Sequence, residues 1–358
     1  MFFNIDADEG HVVRGWIVLD NPSQIPSVTV IVPGRREIAF EANVLRPDVQ
    51  ELGIHVSGQV GFEIDATLVP GIEAIDELEL VETESRLPIF RRFNEHHIEQ
   101  RLYLFDAGVL PQRQLMQTLT ASFTMSYLNT ERFALETMLV IINNKFSRST
   151  LMYGRSNFNR YASFLNNAGF MRAAFLREPF EEFAERLMFL KILAKSPASK
   201  LAGINATGLE TLIDFAGNLP IDDPKGVLMA FRSLDREQRQ ILSNPMTRLF
   251  GCNFDEIPER KHVGVALENL ATMDVVGTKT RFDDFRDLLA GTLGRNVLGE
   301  LRPLFFEPAV QFGETLSKIG IVTDMLEHDL ELYSFADQAI QSVLEGSGGE
   351  TARDTQSI

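Results

Sequence analysis

Apolar positions along this chain change their period near residue 100, and the change divides it. Over residues 10–80 they alternate or gather in short β-branched runs, as in "VVRGWIVLD" (Val12–Asp20) and "SVTVIVPG" (Ser27–Gly34). Asn21-Pro22, Pro33-Gly34 and Gly61 punctuate these runs, which is the pattern of short antiparallel strands in a β-sandwich. From Arg101 strands and helices alternate. "RLYLF" (Arg101–Phe105), "STLMYG" (Ser149–Gly154) and "FMRAAFL" (Phe170–Leu176) predict strands, with "QLMQTLTASF" (Gln114–Phe123) a helix after the first. A longer helix is expected over "TERFALETMLVIINNKF" (Thr130–Phe146) with Thr130 as its N-cap. Another follows over "EPFEEFAERLMFLKILAK" (Glu178–Lys195), with Pro179 in its first turn. Such alternation predicts a parallel sheet in an α/β domain.

Beyond Ser196 the period is mostly helical as far as Phe335, with caps expected at Thr207, Ser233 and Asp283 and one embedded strand, "MDVVGT" (Met273–Thr278). The fold expected is therefore α/β: a small N-terminal β-sandwich, then a parallel-sheet domain with a large helical C-terminal part. The boundaries are 1–80 for the sandwich, 81–100 for a linker signalled by the acidic "IDELELVETESRLP" (Ile75–Pro88), 101–345 for the α/β domain, and 346–358 for a tail expected to be disordered.

Charge narrows the choice of partner. With 34 basic and 50 acidic residues the net charge is −16, which argues against a broad nucleic-acid or anionic-membrane surface. Any anion site must be a local basic pocket. A single cysteine, Cys252, leaves no disulfide within the chain. The start "MFFNIDADEG" lacks the basic region of a signal peptide, and "LETMLVII" (Leu135–Ile142) falls far short of the ~20 residues of a membrane span, so a cytoplasmic location is expected.

Three stretches carry a family resemblance. "ALENLATMDVVGTKTRFDDFRDLL" (Ala266–Leu289), "NPMTRLFG" (Asn244–Gly251) and "HDLELYSFADQAI" (His328–Ile340) stand in the order found in carbohydrate sulfotransferases, which the chain resembles over roughly residues 100–340. That family has a P-loop-type fold and moves sulfuryl from 3′-phosphoadenosine 5′-phosphosulfate (PAPS) to a sugar hydroxyl. Upstream, Arg14-Gly15-Trp16, Arg46-Pro47-Asp48 and Gly61-Phe62 resemble a small β-module that precedes transferase domains in bacterial glycan-building proteins. Together the resemblances imply a carbohydrate or sugar-phosphate ligand, PAPS as cofactor, and partners in a surface-polysaccharide assembly system.

At the chemistry the chain departs from the family. The family's first strand ends in a Pro-Lys loop whose N–H groups and lysine hold the phosphosulfate; here the loop is "DAGVLPQRQL" (Asp106–Leu115), with Gly108 permissive and Arg113 its one cation. The family's next strand often ends Gly-His, the histidine serving as general base; here it ends Gly154-Arg155, and an arginine cannot take a proton. The third keeps Arg177 and Pro179, but the serine that grips the 3′-phosphate is replaced by Glu185. PAPS is thus expected to bind weakly or not at all.

Arg113, Arg155 and Arg177 are the candidate anion or donor site. Gly154, Asn157, Asn159, Arg160 and Tyr161, in "RSNFNRY" and the glycine before it, are candidates for a substrate loop, since open α/β sheets bind ligands beyond their strand ends. Asn244 and Arg248 are secondary candidates. A second alignment would place Lys145 of "NNKFSRSTL" (Asn143–Leu151) in a phosphate loop; it leaves "RLYLF" without a place in the sheet and is disfavoured. His96-His97 lacks the ligand spacing of a metal site, and "GTKT" (Gly277–Thr280) lacks the upstream glycine of a Walker loop. Two classes remain: a divergent transferase with an unidentified base, and a catalytically silent scaffold or carbohydrate-binding component of polysaccharide assembly.

Overall fold

The computed structural model describes residues 1–195 and 209–351, and the expected cap at Thr207 lies outside them. These residues form a mixed α/β protein that divides into two compact units. One contains Met1–Tyr103, Gln117–Tyr153 and Phe164–Phe170; the other contains Leu104–Met116, Gly154–Ser163 and the chain from Met171 onward.

The first unit carries two four-stranded sheets. Strands β1 (Phe2–Asp8), β2 (Val13–Val18), β3 (Ser27–Ile31), β4 (Ile38–Glu41), β5 (Val44–Leu45), β6 (Gln59–Ile64), β7 (Glu79–Glu82) and β8 (Pro88–Arg91) order as β1-β2-β6-β5 and β4-β3-β7-β8. Neighbouring strands pair antiparallel. The three fragments of the β-module pattern meet here. Trp16 pairs with Gly61 and Gly15 with Phe62 across β2 and β6, and the Arg46 guanidinium lies 5.9 Å from the Trp16 ring centre while gripping Asp48 through two nitrogens. A Cβ on Gly15 would fall 2.5 Å from the Asn4 carbonyl oxygen, so only glycine allows β1 and Phe62 to close on it. Helix α1 (Pro47–Glu51) follows, and its Val49 packs with Val18 and Val60, against which Trp16 rests half-buried.

Strands occupy the stretch expected as a linker, since β7 and β8 form a hairpin over residues 79–91. Its acidic composition hides two short apolar pairs, Leu80-Val81 and Ile89-Phe90, all four buried. The Glu82 carboxylate, only 2 % exposed, is consumed in the turn, where it accepts hydrogen bonds from the Glu84 and Ser85 amides and the Ser85 hydroxyl. The unit also reaches past residue 100: the N-terminal ammonium of Met1 donates to the Thr137 hydroxyl at 3.1 Å, and Phe90 meets Phe146 with ring centres 5.6 Å apart.

Strands β9 (Arg101–Asp106), β10 (Met125–Leu128), β11 (Thr150–Gly154), β12 (Met171–Leu176) and β13 (Val275–Thr278) make a parallel sheet ordered β10-β11-β9-β12-β13. The three expected strands lie in it, with β11 and β12 flanking β9. The helix expected over 130–146 is shorter: a 3-10 turn at Thr130–Arg132, then α3 (Leu135–Asn143) after α2 (Arg113–Ser122). Asn129 enters the left-handed region (φ 54°), and the buried Thr130 hydroxyl bonds the Tyr103 hydroxyl instead of capping a helix.

In the second unit α4 (Phe158–Asn167) begins, and α5 (Pro179–Ala194), α6 (Ile213–Asn218), α7 (Pro224–Arg232), α8 (Arg236–Leu242), α9 (Pro245–Gly251), α10 (Arg260–Ala271), α11 (Phe282–Leu293), α12 (Glu307–Leu316), α13 (Gly320–Met325) and α14 (Glu327–Thr351) follow. Phe183, Leu187 and Leu190 of α5 are buried in one core with Leu212, Phe231, Phe312 and Val322. Part of the tail expected to be disordered, as far as Thr351, continues α14; the rest lies outside the described residues. Ser233 closes α7 as its C-cap, and Asp283 sits in the first turn of α11 behind the N-cap Arg281. The N-cap role falls to Asp235, which forms a capping box with Gln238 at the start of α8. Asp235→Ala is therefore predicted to cost about 1 kcal/mol in urea denaturation, the usual worth of such a cap; an unchanged midpoint would remove it from the account.

Candidate functional site

The C-terminal ends of β9, β12 and β13 are where this topology places a ligand site. Asp106 ends β9, Arg177 follows β12 and Lys279 follows β13, and all three are buried, at 1, 2 and 1 % exposed. Arg177 donates from Nε to Asp106 Oδ1 at 3.2 Å and from Nη2 to the Leu110 carbonyl at 2.6 Å. It lies across Gly108, where a Cβ would come within 2.5 Å of its Nη2. The glycine of the loop therefore makes room for the protein's own guanidinium.

The loop amides are engaged as well. Gly108 N donates to Asp106 Oδ1 at 2.9 Å, and Val109 N donates to Glu182 Oε1 at 3.1 Å. Glu182 is held by Arg186 one helical turn along α5, at 2.7 Å between Nη2 and Oε1, with both side chains buried. Carboxylates on loop N–H groups are the interaction an anionic ligand would make. Here the chain supplies them.

Next to this pair stands a second cluster. Lys279 Nζ donates to Glu181 Oε1 and to Glu185 Oε1, the latter at 3.0 Å, with the Phe305 ring centre 4.6 Å away. Burial pushes the Glu185 carboxyl above its ordinary range, opposed by the charges of Arg177 and Lys279. Burial also raises Glu178, the N-cap of α5, against the hydrogen bond its side chain accepts from Glu181 N. Five carboxylates (Asp106, Glu178, Glu181, Glu182, Glu185) thus stand near three cations (Arg177, Arg186, Lys279), a balance that disfavours an added anion. Lys279 was not among the candidates from sequence. The signal was present in a lysine placed directly after an apolar strand, with Glu181 and Glu185 one turn apart on the helix after the neighbouring strand.

The candidate substrate loop is a set of staples. Asn157 donates to the carbonyls of Arg248 (3.2 Å) and Cys252 (2.8 Å) and accepts from Arg160 N (3.0 Å). Asn159 donates to the Cys252 carbonyl at 3.2 Å and accepts from Asn269 at 2.7 Å. Tyr161 is buried, and Arg160 sits 4.4 Å from the ring centre of Phe254. Gly154 is the last residue of β11, and Arg155, half-buried, follows it. Arg113 is exposed at the first position of α2.

Asn244 and Asp329 cap each other's helices. Asn244, in the left-handed region (φ 47°), accepts from the His328 and Asp329 amides at the start of α14. Asp329 in turn accepts from the Met246 and Thr247 amides at the start of α9, at 2.9 and 2.6 Å. Burial raises the Asp329 carboxyl to about 6, although both amides oppose the shift. Arg248 donates to the Gln240 carbonyl at 2.6 Å. Burial also pushes the Cys252 thiol up to about 11, so it is not a reactive thiolate at neutral pH. The Asn-Pro-x-x-Arg turn is thus a structural joint.

Among the described residues no helix is long and apolar enough to cross a membrane. The chain matches no family model and no curated protein.

Proposed function

We propose that this chain is a divergent sulfotransferase-like protein that has lost sulfuryl transfer and serves as a binding or scaffolding component for surface-polysaccharide intermediates. One observation carries the loss: the loop amides of Gly108 and Val109 donate to Asp106 and Glu182, while Arg177 lies over Gly108. Under the resemblance, these groups would face the phosphates of PAPS. To bind it, the site would exchange two short internal carboxylate contacts for phosphate and bring further negative charge beside Glu181 and Glu185. The glycan assignment rests on the two sequence resemblances, to carbohydrate sulfotransferases and to the β-module of bacterial glycan-building proteins.

Titration with PAPS and with its desulfated product by calorimetry tests the reading. Each charge-assisted hydrogen bond withheld is worth roughly 1.5–3 kcal/mol, so withholding three weakens binding by several powers of ten. The predicted result is no measurable heat at micromolar ligand. Micromolar binding that disappears in Arg177→Ala would restore the transferase reading and the arginine-lined anion site.

A further inference from the structure

We propose that residues 299–306 form a strap that opens and closes over the Lys279 cluster. Between α11 and α12 the chain runs without helix or strand, and three consecutive apolar side chains on it, Leu304, Phe305 and Phe306, remain 49, 52 and 43 % exposed. A buried side chain tethers the strap. Gln112, 6 % exposed and placed just before α2, accepts from Leu304 N at 2.7 Å and donates from Nε2 to the Leu304 carbonyl at 3.3 Å. An amide that bonds a backbone in both directions imitates a neighbouring strand for one residue only. Beside that clamp, Phe305 puts its ring over the Lys279 ammonium.

The materials of closure set how readily it opens. These neutral hydrogen bonds and this cation–π contact are exchanged for water at modest net cost, and on the strap side Leu304 and Phe305 are already about half-exposed. The cluster beneath is built differently. Lys279 directly follows β13, and Glu181 and Glu185 sit on α5, elements held by their own strand pairing and core packing. A weakly tethered segment over a firmly seated charge cluster is the arrangement in which local opening occurs without global unfolding. Opening would bring the Lys279 amine, with its two carboxylates, to the surface at the sheet's ligand-bearing end. This inference does not depend on the glycan reading.

Hydrogen exchange together with amine acylation of Lys279 tests it, in the full chain and in Gln112→Ala. Removing both clamp bonds is expected to speed exchange of the Leu304 amide about tenfold and to raise the acylation rate of Lys279, with an unchanged urea midpoint. Phe305→Ala keeps the clamp and uncovers the amine, so it should raise acylation with little effect on Leu304 exchange. Rates unchanged in both variants, or rates that rise only as far as global unfolding does, would overturn the proposal.

Discussion

Arg177→Ala is expected to destabilise the second unit by about 3–5 kcal/mol, the cost of leaving a buried charge without its partner. The variant removes the guanidinium from Asp106 Oδ1 and from the Leu110 carbonyl, and it opens a void over Gly108. Asp106→Ala should cost a comparable amount, because Gly108 N loses its acceptor together with the arginine. The double variant Asp106→Leu/Arg177→Met separates structure from function. A buried pair replaced by apolar groups is often neutral, so most of the loss should be recovered. Urea denaturation of the four proteins gives the coupling. If Arg177→Ala is as stable as the wild type, the arginine is poised for a ligand, and the internal-pair account fails.

The second large effect concerns pH. Asp329 has a folded-state value of about 6 against an ordinary 3.8, so between those values the folded chain binds more protons than the unfolded one. Stability from this group is fully present below about pH 4, declines as pH rises to about 6 and is flat above. The gap between those values corresponds to about 3 kcal/mol. Asp329→Asn should abolish that slope, since an amide does not titrate, although its NH2 would face one of the two α9 amides that Asp329 now accepts from. Urea midpoints measured every half unit from pH 4 to 7 compare the two proteins. Equal slopes would show that other carboxyls, Glu185 and Glu178 among them, carry the pH dependence instead.

Much of the fold was legible because secondary structure follows local periodicity. "RLYLF", "STLMYG", "FMRAAFL" and "MDVVGT" stand as β9, β11, β12 and β13, and α5 starts at Pro179 where proline and glutamates announce a helix N-terminus. The differences have two causes. Thr130, which has the pattern of a cap, bonds Tyr103 across 27 residues, beyond any local window. In "VETESR" the partners of Glu82 are near, at Glu84 and Ser85, but acidic composition does not reveal that its carboxylate closes a hairpin turn.

What the sequence by itself determined is the order of the sheet strands, the parallel sheet they form, and the placing of Arg155 and Arg177 after separate apolar runs. Only the tertiary structure decided what those charges do. Arg177 meets Asp106 across 71 residues, Val109 meets Glu182 across 73, and Lys279 meets Glu185 across 94. A charged residue at a strand end serves a ligand or an internal partner equally well as far as its neighbours in the chain reveal. The choice is made by desolvation: once the loop, α5 and β13 close on one another, each buried charge must find an opposite one, and the nearest are the protein's own.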